Sequence, residues 1–343
     1  MQRTRTPALF ALLALLAGAL PPAHAADPVA VQFALDRPID AVAAPFVLAQ
    51  ADGLFSAEGL NVTISIAPGG HDAITRVAAG GSDLALVDIN ALVRHHDKEK
   101  PDAPYPKAVF VLFNQAGYSI IARRSRGIQS LADLSGKNLG VVDGDPAAKF
   151  WPAVARQNGL KSAAVKQSPI SPAVREPMLS AGQVDAVTGS SFLSAINLRD
   201  RGVPADDLVV LKLADYGSEA YGYALIVNPA FAAAKPEAVK AFVRAVIGGL
   251  QSTAKTPERA IEQVLTRMEG GSRELELERL RAILRDNIMT SEVRRNGLGS
   301  IDPARFGKSI EQAAEDFKFH KRPTAADVFD GGFLPPLNGR LIN

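Results

Sequence analysis

Hydrophobic residues alternate with other residues in two short segments near the start of the chain, at 29–35 and 62–66. This period of two is typical of β-strands. Between the segments, Pro45 suits the first position of a helix that we predict to end at residue 52, before Gly53. A strand, a helix and a strand within about 40 residues form a βαβ unit, whose two strands are parallel. The pattern therefore predicts an α/β fold.

A short motif occurs twice in the chain. The pattern Ala-Gly-x-x-Asp stands at 79–83 and again at 181–185. A Gly-Leu pair precedes each Asp, at 59–60 and at 159–160, 24 and 26 residues earlier. In both copies the intervening residues predict a strand, a turn and a helix. The repeat indicates two lobes of the same α/β design; the alternative is chance similarity, which is common in α/β chains.

The last third of the chain has a different pattern. One more strand is predicted at 224–227, and it most simply returns to the first sheet. Helices that begin at Pro or a polar cap follow it, at 236–254, 257–268, 273–287 and 303–318. We therefore predict a discontinuous lobe 1 (27–117 plus 216–343) and an inserted lobe 2 (118–215), joined by two chain crossings that form a hinge, with a helical C-terminal extension.

The first 25 residues have the pattern of a secretory signal. Arg3 and Arg5 precede 13 residues without a polar side chain, at 8–20, and Ala23-His24-Ala25 offers small residues for cleavage after Ala25. A membrane anchor is the alternative, but 13 helical residues span only about 20 Å, less than the ~30 Å hydrocarbon core. The sequence predicts an exported, periplasmic protein.

Charge and cysteine content exclude several classes of protein. The chain has 38 Lys and Arg residues, 36 Asp and Glu residues and no cysteine. Removal of the signal would leave 36 of each sign, without the basic excess of a nucleic-acid-binding protein. The absence of cysteine excludes disulfides, thiolate metal sites and cysteine nucleophiles.

No catalytic constellation is visible in the sequence. The motifs His-Glu-x-x-His, Gly-x-Ser-x-Gly, Walker A and Gly-x-Gly-x-x-Gly are absent. His95 and His96 are adjacent and lie on different helix faces, so they cannot chelate one metal. Asp143 and Asp145 have no further ligands nearby and suit turn and cap positions. We predict no catalytic residue, no metal site and no cofactor, and hence a protein that is not an enzyme.

The remaining candidates lie where predicted strands end. In open α/β sheets, ligands bind at the carboxyl ends of strands. Gly69-Gly70-His71 and Gly144-Asp145 each precede a helix whose free N–H groups can hold a polar or anionic group, although such glycines can also serve turn geometry alone. Tyr118, Tyr216 and Tyr221 flank the lobe crossings and can line a cleft or pack at the hinge. The candidate ligand-binding residues are Asp36, Arg37, Gly69, Gly70, His71, Asp88, Asn90, Tyr118, Asp143, Asp145, Ser190, Tyr216 and Tyr221.

Several segments resemble a known family. The stretches 44–55 and 58–62, the turn 68–70, the segment 131–137 and the segment 181–186 are similar in order and spacing to solute-binding proteins of ABC importers. The resemblance is to the nitrate, sulfonate, taurine and thiamine-pyrimidine-precursor branch and covers about residues 29 to 250. It implies a two-lobed, type II-like periplasmic binding protein with Rossmann-like lobes around a cleft, a monomer that closes over one small molecule and docks on a membrane permease.

The resemblance also leaves alternatives for the ligand and the function. This branch often places an aromatic residue in the first-strand loop, whereas 36–40 contains none. Acidic residues outnumber bases at the predicted cleft, and Arg37 is the base best placed for an anion. This favours a neutral or zwitterionic nitrogen compound; the alternative is an alkylsulfonate held by helix N-termini. The resemblance includes enzymes of thiamine-pyrimidine and menaquinone synthesis, the first with a cysteine-rich iron motif that this chain lacks. A third hypothesis for the function is an extracytoplasmic sensor domain.

Overall fold

The structure, a computed structural model, describes residues 27–97 and 105–342. The predicted signal peptide and its cleavage site lie outside the described residues. The strands are β1 (Val29–Leu35), β2 (Leu60–Ile66), β3 (Leu84–Asp88), β4 (Lys107–Val111), β5 (Tyr118–Arg123), β6 (Asn138–Val142), β7 (Lys166–Ile170), β8 (Ala186–Ser190), β9 (Leu208–Lys212) and β10 (Tyr223–Val227). The helices are α1 (Ala44–Ala51), α2 (Leu54–Ala57), α3 (Gly70–Ala78), α4 (Ile89–His96), α5 (Pro146–Gln157), α6 (Arg175–Ser180), α7 (Ser194–Asp200), α8 (Pro229–Ala234), α9 (Pro236–Lys255), α10 (Pro257–Leu265), α11 (Arg273–Ile283), α12 (Ser291–Asn296), α13 (Pro303–Ala313) and α14 (Ala325–Val328).

Two five-stranded sheets with the same topology organise these elements. The first has the order β2-β1-β3-β10-β4 and the second β7-β6-β8-β5-β9. In each sheet the first three strands are parallel and the fourth is antiparallel to both of its neighbours. The prediction of a two-lobed α/β fold is confirmed, as is the return of the last strand to the first sheet. The lobe boundaries at 117/118 and 215/216 stay predictions.

The repeated motif forms the same contact in both lobes. The backbone N–H of Gln32 donates to Oδ2 of Asp83 at 2.7 Å, and that of Asn138 donates to Asp185 at 2.8 Å. In return, the N–H of each Asp donates to the carbonyl of Gln32 or Asn138 at 2.9 Å. Each Asp therefore links the parallel strand pair β1–β3 or β6–β8 just before β3 or β8 begins.

Both faces of the first sheet are buried, because neighbouring residues of each strand point to opposite sides. Phe33 and Leu35 belong to one core cluster, and Ala34 between them belongs to another. The C-terminal helices cover the first of these faces, where the ring of Phe242 on α9 lies 5.2 Å from that of Phe33. Lobe 1 therefore has a thicker hydrophobic core than lobe 2.

Several predicted boundaries differ from those observed. Strand β7 contains Pro169, which is tolerated because β7 is an edge strand. The helix predicted at 273–287 ends at Ile283 and continues as a π-helical turn, Leu284–Ile288. The segment after α13 runs along the surface of lobe 1. There Phe329 forms a β-bridge with Ala108 of the edge strand β4.

Candidate ligand-binding cleft

A cavity of about 970 Å³ lies between the two lobes. It is lined by loops and helix starts that follow β1, β2 and β3 in lobe 1 and β6, β7 and β8 in lobe 2. The carboxyl ends of the parallel strands of both sheets thus meet at one space. Its volume is at the upper end of the ~300–1,000 Å³ range of small-molecule sites.

Asp36 and Arg37 follow β1 and form one wall. Arg37 Nε lies 3.4 Å from Oδ1 of Asp36, and the guanidinium stacks 4.6 Å from the ring centre of Tyr223. Burial raises the pKa of Asp36 from 3.8 to about 6, against the opposing effect of Arg37. This carboxyl group therefore loses its proton at a higher pH than a solvent-exposed aspartate does.

A buried hydrogen-bond network lies where β3 of lobe 1 meets β5 of lobe 2. Asp88 caps α4 by accepting from the backbone N–H of Asn90 at 2.8 Å, and it also accepts from the hydroxyl of Tyr118. Asn90 Nδ2 contacts Tyr118 Oη at 2.8 Å and donates to the carbonyl of Tyr221 at 2.7 Å. Burial raises the pKa of Asp88 and that of Tyr118. The network fixes the position of the first chain crossing.

The lobe 2 wall contains a second buried carboxylate. Asp145 caps α5 by accepting from Ala147 N–H at 2.9 Å, and it accepts from the hydroxyl of Thr188 at 2.9 Å. Arg175 Nη1 lies 3.4 Å from its Oδ2. Burial raises the pKa of Asp145, and the negative charge of Asp88 across the cleft adds to this.

Aromatic rings supply the apolar part of the lining. Phe113 packs edge-on against Phe192 at 5.7 Å and against Tyr223 at 5.2 Å. Phe192 comes from lobe 2 and the other two from lobe 1, so this row crosses between the lobes. Such a wall can contact the flat or apolar part of a ligand.

Polar contacts at the edge of the cavity and outside it also join the lobes. Lys149 lies 3.7 Å from Asp316, and Lys212 lies 3.0 Å from Asp286. Gln312 of α13 donates to the carbonyl of Gly217 at 2.7 Å, beside the second chain crossing. Separation of the lobes would break the contacts of Lys149 with Asp316 and of Lys212 with Asp286.

The structure brings most of the predicted site residues to the cavity. Those that line it are Asp36, Arg37, Gly69, Gly70, His71, Asp88, Tyr118, Asp143, Asp145 and Ser190. Asn90, Tyr216 and Tyr221 are outside the lining. Asn90 lies in the buried network, Tyr216 packs on the lobe 2 core, and the hydroxyl of Tyr221 contacts Glu292 and accepts from Asp302 N–H. Ligand contact stays a prediction for the residues that do line the cavity.

Sequence reasoning missed several lining residues. Arg94 lies in the last turn of α4 and Arg175 at the start of α6. In a helical sequence, such arginines are typical of an exposed charged face. The sequence therefore does not indicate that these two side chains reach the cavity. Phe113, Phe192 and Tyr223 also line the cavity; the nearness of Phe113 and Tyr223 to the predicted crossings was the available hint.

Residues 27–97 and 105–342 contain neither a metal-binding cluster nor a membrane-spanning helix. In that part of the chain, no group of three or more His, Asp or Glu side chains is placed to hold a metal ion. Within the same ranges, no helix combines the length and hydropathy needed to cross a bilayer.

The fold is that of two-lobed periplasmic binding proteins. The solved structure of the periplasmic aliphatic sulphonate binding protein SsuA from Escherichia coli superimposes with a TM-score of 0.69 and 16% identity, over 86% of this chain and 95% of that chain. The periplasmic nitrate-binding protein NrtA from Synechocystis PCC 6803 gives a TM-score of 0.65 and 12% identity, over 90% of this chain and 87% of that chain. Both are similar to this chain in fold.

A family profile places the chain more narrowly. The family described as NMT1/THI5 like matches residues 40–260, and the chain belongs to this family. A curated relative, 4-amino-5-hydroxymethyl-2-methylpyrimidine phosphate synthase of Schizosaccharomyces pombe, is 24% identical over 237 residues, which are 64% of each protein. The match therefore spans less than two thirds of that relative's length.

Proposed function

We propose that the protein is the solute-binding component of an ABC importer, and that it captures a small polar organic solute by closing its lobes. The solute classes that fit are a nitrogen-containing heterocycle, an amino compound or an alkylsulfonate. The observation that carries the proposal is the cavity itself, which two lobes of like topology share and which side chains of both lobes line. A ligand that touches both lobes binds the closed arrangement more tightly than an open one, and so shifts the protein towards closure.

Location and partners follow from this proposal. The N-terminal pattern of 1–25 supports export to the periplasm, and the fold relationship to periplasmic binding proteins agrees with it. The partners are the solute and a membrane permease, and we expect the protein itself to be a monomer. No nucleic acid is expected, because the charges of the exported chain balance.

Native mass spectrometry of protein purified without denaturation tests the proposal. We expect a non-covalent small-molecule adduct. Its removal should lower the melting temperature and its return should raise it again, because a ligand at 100 times its Kd stabilises the folded protein by about 2.7 kcal/mol. Small-angle scattering should show a smaller radius of gyration with the solute. A protein that binds no solute from a broad thermal-shift panel would contradict the proposal.

The competing function is that of an enzyme on the same fold. It is favoured by the similarity to the S. pombe relative, which is a pyrimidine phosphate synthase. Mass spectrometry separates the two functions: a binding protein releases the solute unchanged, whereas an enzyme releases a different molecule. Recovery of 4-amino-5-hydroxymethyl-2-methylpyrimidine phosphate after incubation of the purified protein in cell extract would favour the enzyme.

A further inference from the structure

Among the described residues, one cationic side chain of the cavity has buried N–H groups without a hydrogen-bond partner. Four Lys and Arg side chains line the cavity, namely Arg37, Arg94, Lys149 and Arg175. Arg37 lies 3.4 Å from a carboxylate oxygen of Asp36 and Arg175 lies 3.4 Å from one of Asp145. Lys149 lies 3.7 Å from Asp316.

Arg94 differs from these three. Within the described part of the chain, its Nε and Nη2 atoms are buried and have no hydrogen-bond partner. The carboxylate of Asp88, which caps the same helix, already accepts from Tyr118 and Asn90, and no ion pair forms between Asp88 and Arg94 among the described residues. The negative charge of Asp88 interacts favourably with Arg94 at longer range, but buried guanidinium N–H groups without a hydrogen-bond partner remain unfavourable, and proteins usually pair them.

The lobe 1 part of the cavity includes the surroundings of Arg94. Ala91, Arg94 and His95 line it from α4, and Ile74 lines it from the neighbouring helix α3. At the start of α3, a Cβ added to Gly70 would lie 3.6 Å from Oδ2 of Asp36, so a carboxyl group already faces this helix end. Among the cavity-lining Lys and Arg side chains, Arg94 is therefore the one that has buried N–H groups without a partner in the described residues and that can donate them to a ligand.

We propose that the solute carries a negatively charged oxygen group, a carboxylate, sulfonate or phosphate, and that Arg94 is the residue that binds it. This inference rests on the proposed binding function and selects among its solute classes. The delocalised charge of the guanidinium and its planar set of N–H donors suit such an oxyanion. The aromatic row at Phe113 then contacts the uncharged part of the same molecule, so the solute is an organic anion rather than a small inorganic ion.

The test compares the wild type with Arg94→Met and Arg94→Lys. Arg244→Met is the matched control, because Arg244 of α9 pairs with Glu58, which follows α2, outside the cavity. The first readout is the melting temperature in low-millimolar sodium sulfate against sodium chloride of equal ionic strength. We expect sulfate to stabilise the wild type, Arg94→Lys and Arg244→Met, and to have no such effect on Arg94→Met.

A second readout separates binding from a structural role. Without added anion, Arg94→Met and Arg94→Lys should keep the circular dichroism spectrum and the cooperative thermal unfolding of the wild type, so that a lost response to sulfate reports on binding. The solute recovered from natively purified wild type should contain an anionic group and bind Arg94→Met about 10- to 100-fold more weakly. Equal stabilisation of Arg94→Met by sulfate, or a bound solute without an anionic group, would overturn the inference while the binding function stands. A wild type that binds no solute would instead overturn the binding function.

Discussion

The two lobes share one sheet topology but differ in what surrounds it. In lobe 1, helices α9, α10 and α11 cover one face of the sheet and extend the core to Phe242 and Leu280. In lobe 2, the corresponding clusters are smaller and no such extension is present among the described residues. The strand ends also differ: Asp88 in lobe 1 holds a buried network, whereas the equivalent position in lobe 2 is the half-buried Ser190. The shared topology therefore determines where the cleft forms. The covering helices and the residues at the strand ends determine its rigidity and charge.

The largest expected difference in stability between the lobes comes from the close packing of α1 on α9 in lobe 1. A Cβ at Gly249 would lie 2.3 Å from the carbonyl oxygen of Pro45, and backbone cannot move aside easily. At Gly140 in lobe 2, the nearest atom is the end of the Ile170 side chain at 2.7 Å. We expect Gly249→Ala to lower the free energy of unfolding by at least about 3 kcal/mol and Gly140→Ala by about 1 kcal/mol. Urea unfolding measures both; equal losses would contradict the comparison.

The pH dependence of stability should have opposite signs at two aspartates. The pKa of Asp36 is raised to about 6, so its contribution to stability is greatest below pH 4 and falls as the pH rises through 6. Asp36→Asn should therefore stabilise the ligand-free protein above pH 6, by up to about 3 kcal/mol. Urea unfolding from about pH 4 to about pH 7 tests this.

Asp207 of lobe 2 is the matched control for that titration. Hydrogen bonds from Ser125 N–H and from Arg123 hold the pKa of Asp207 below its usual value. Its contribution is present above the unfolded pKa and is lost as the pH falls through the lower folded value. Asp207→Asn should therefore destabilise at neutral pH and have little effect in acid. The same sign at both positions would refute the assignment.

A single substitution can disrupt the buried hydrogen-bond network at the end of β3 in lobe 1. Asn90→Ala would leave the carboxylate of Asp88 and the hydroxyl of Tyr118 without one partner each, and we expect a loss of about 2 kcal/mol. Ser190→Ala at the corresponding strand end should change stability by less than about 0.5 kcal/mol. Thermal unfolding of both variants without ligand gives the difference.

A final pair of variants tests the backbone contact that the repeated motif makes in both lobes. Asp83→Ala and Asp185→Ala each remove one hydrogen bond to a backbone N–H, from Gln32 and from Asn138. We expect each to lower the free energy of unfolding by about 1 kcal/mol. If only one variant loses stability, the repeated motif does not have the same structural role in both lobes.

Much of the fold and part of the site could be predicted from the sequence, because both depend on local patterns. Alternating residues located β1, Pro45 and Gly53 bounded α1, and the ends of the predicted strands placed Asp36, Gly70 and Asp145 at the cavity. These features follow from backbone geometry and from the rule that parallel strands end at one edge. The repeated motif likewise predicted two similar lobes.

Only the tertiary structure decided which charges are paired and which side chains reach the cleft. Tyr221 flanks a crossing in sequence, yet its ring is buried against Phe306 and outside the cavity lining. Arg94 and Arg175 looked alike as polar helix residues, yet Asp145 partners one of them, while Nε and Nη2 of the other have no partner among the described residues. Such pairing depends on distances between residues far apart in the chain, which periodicity does not encode.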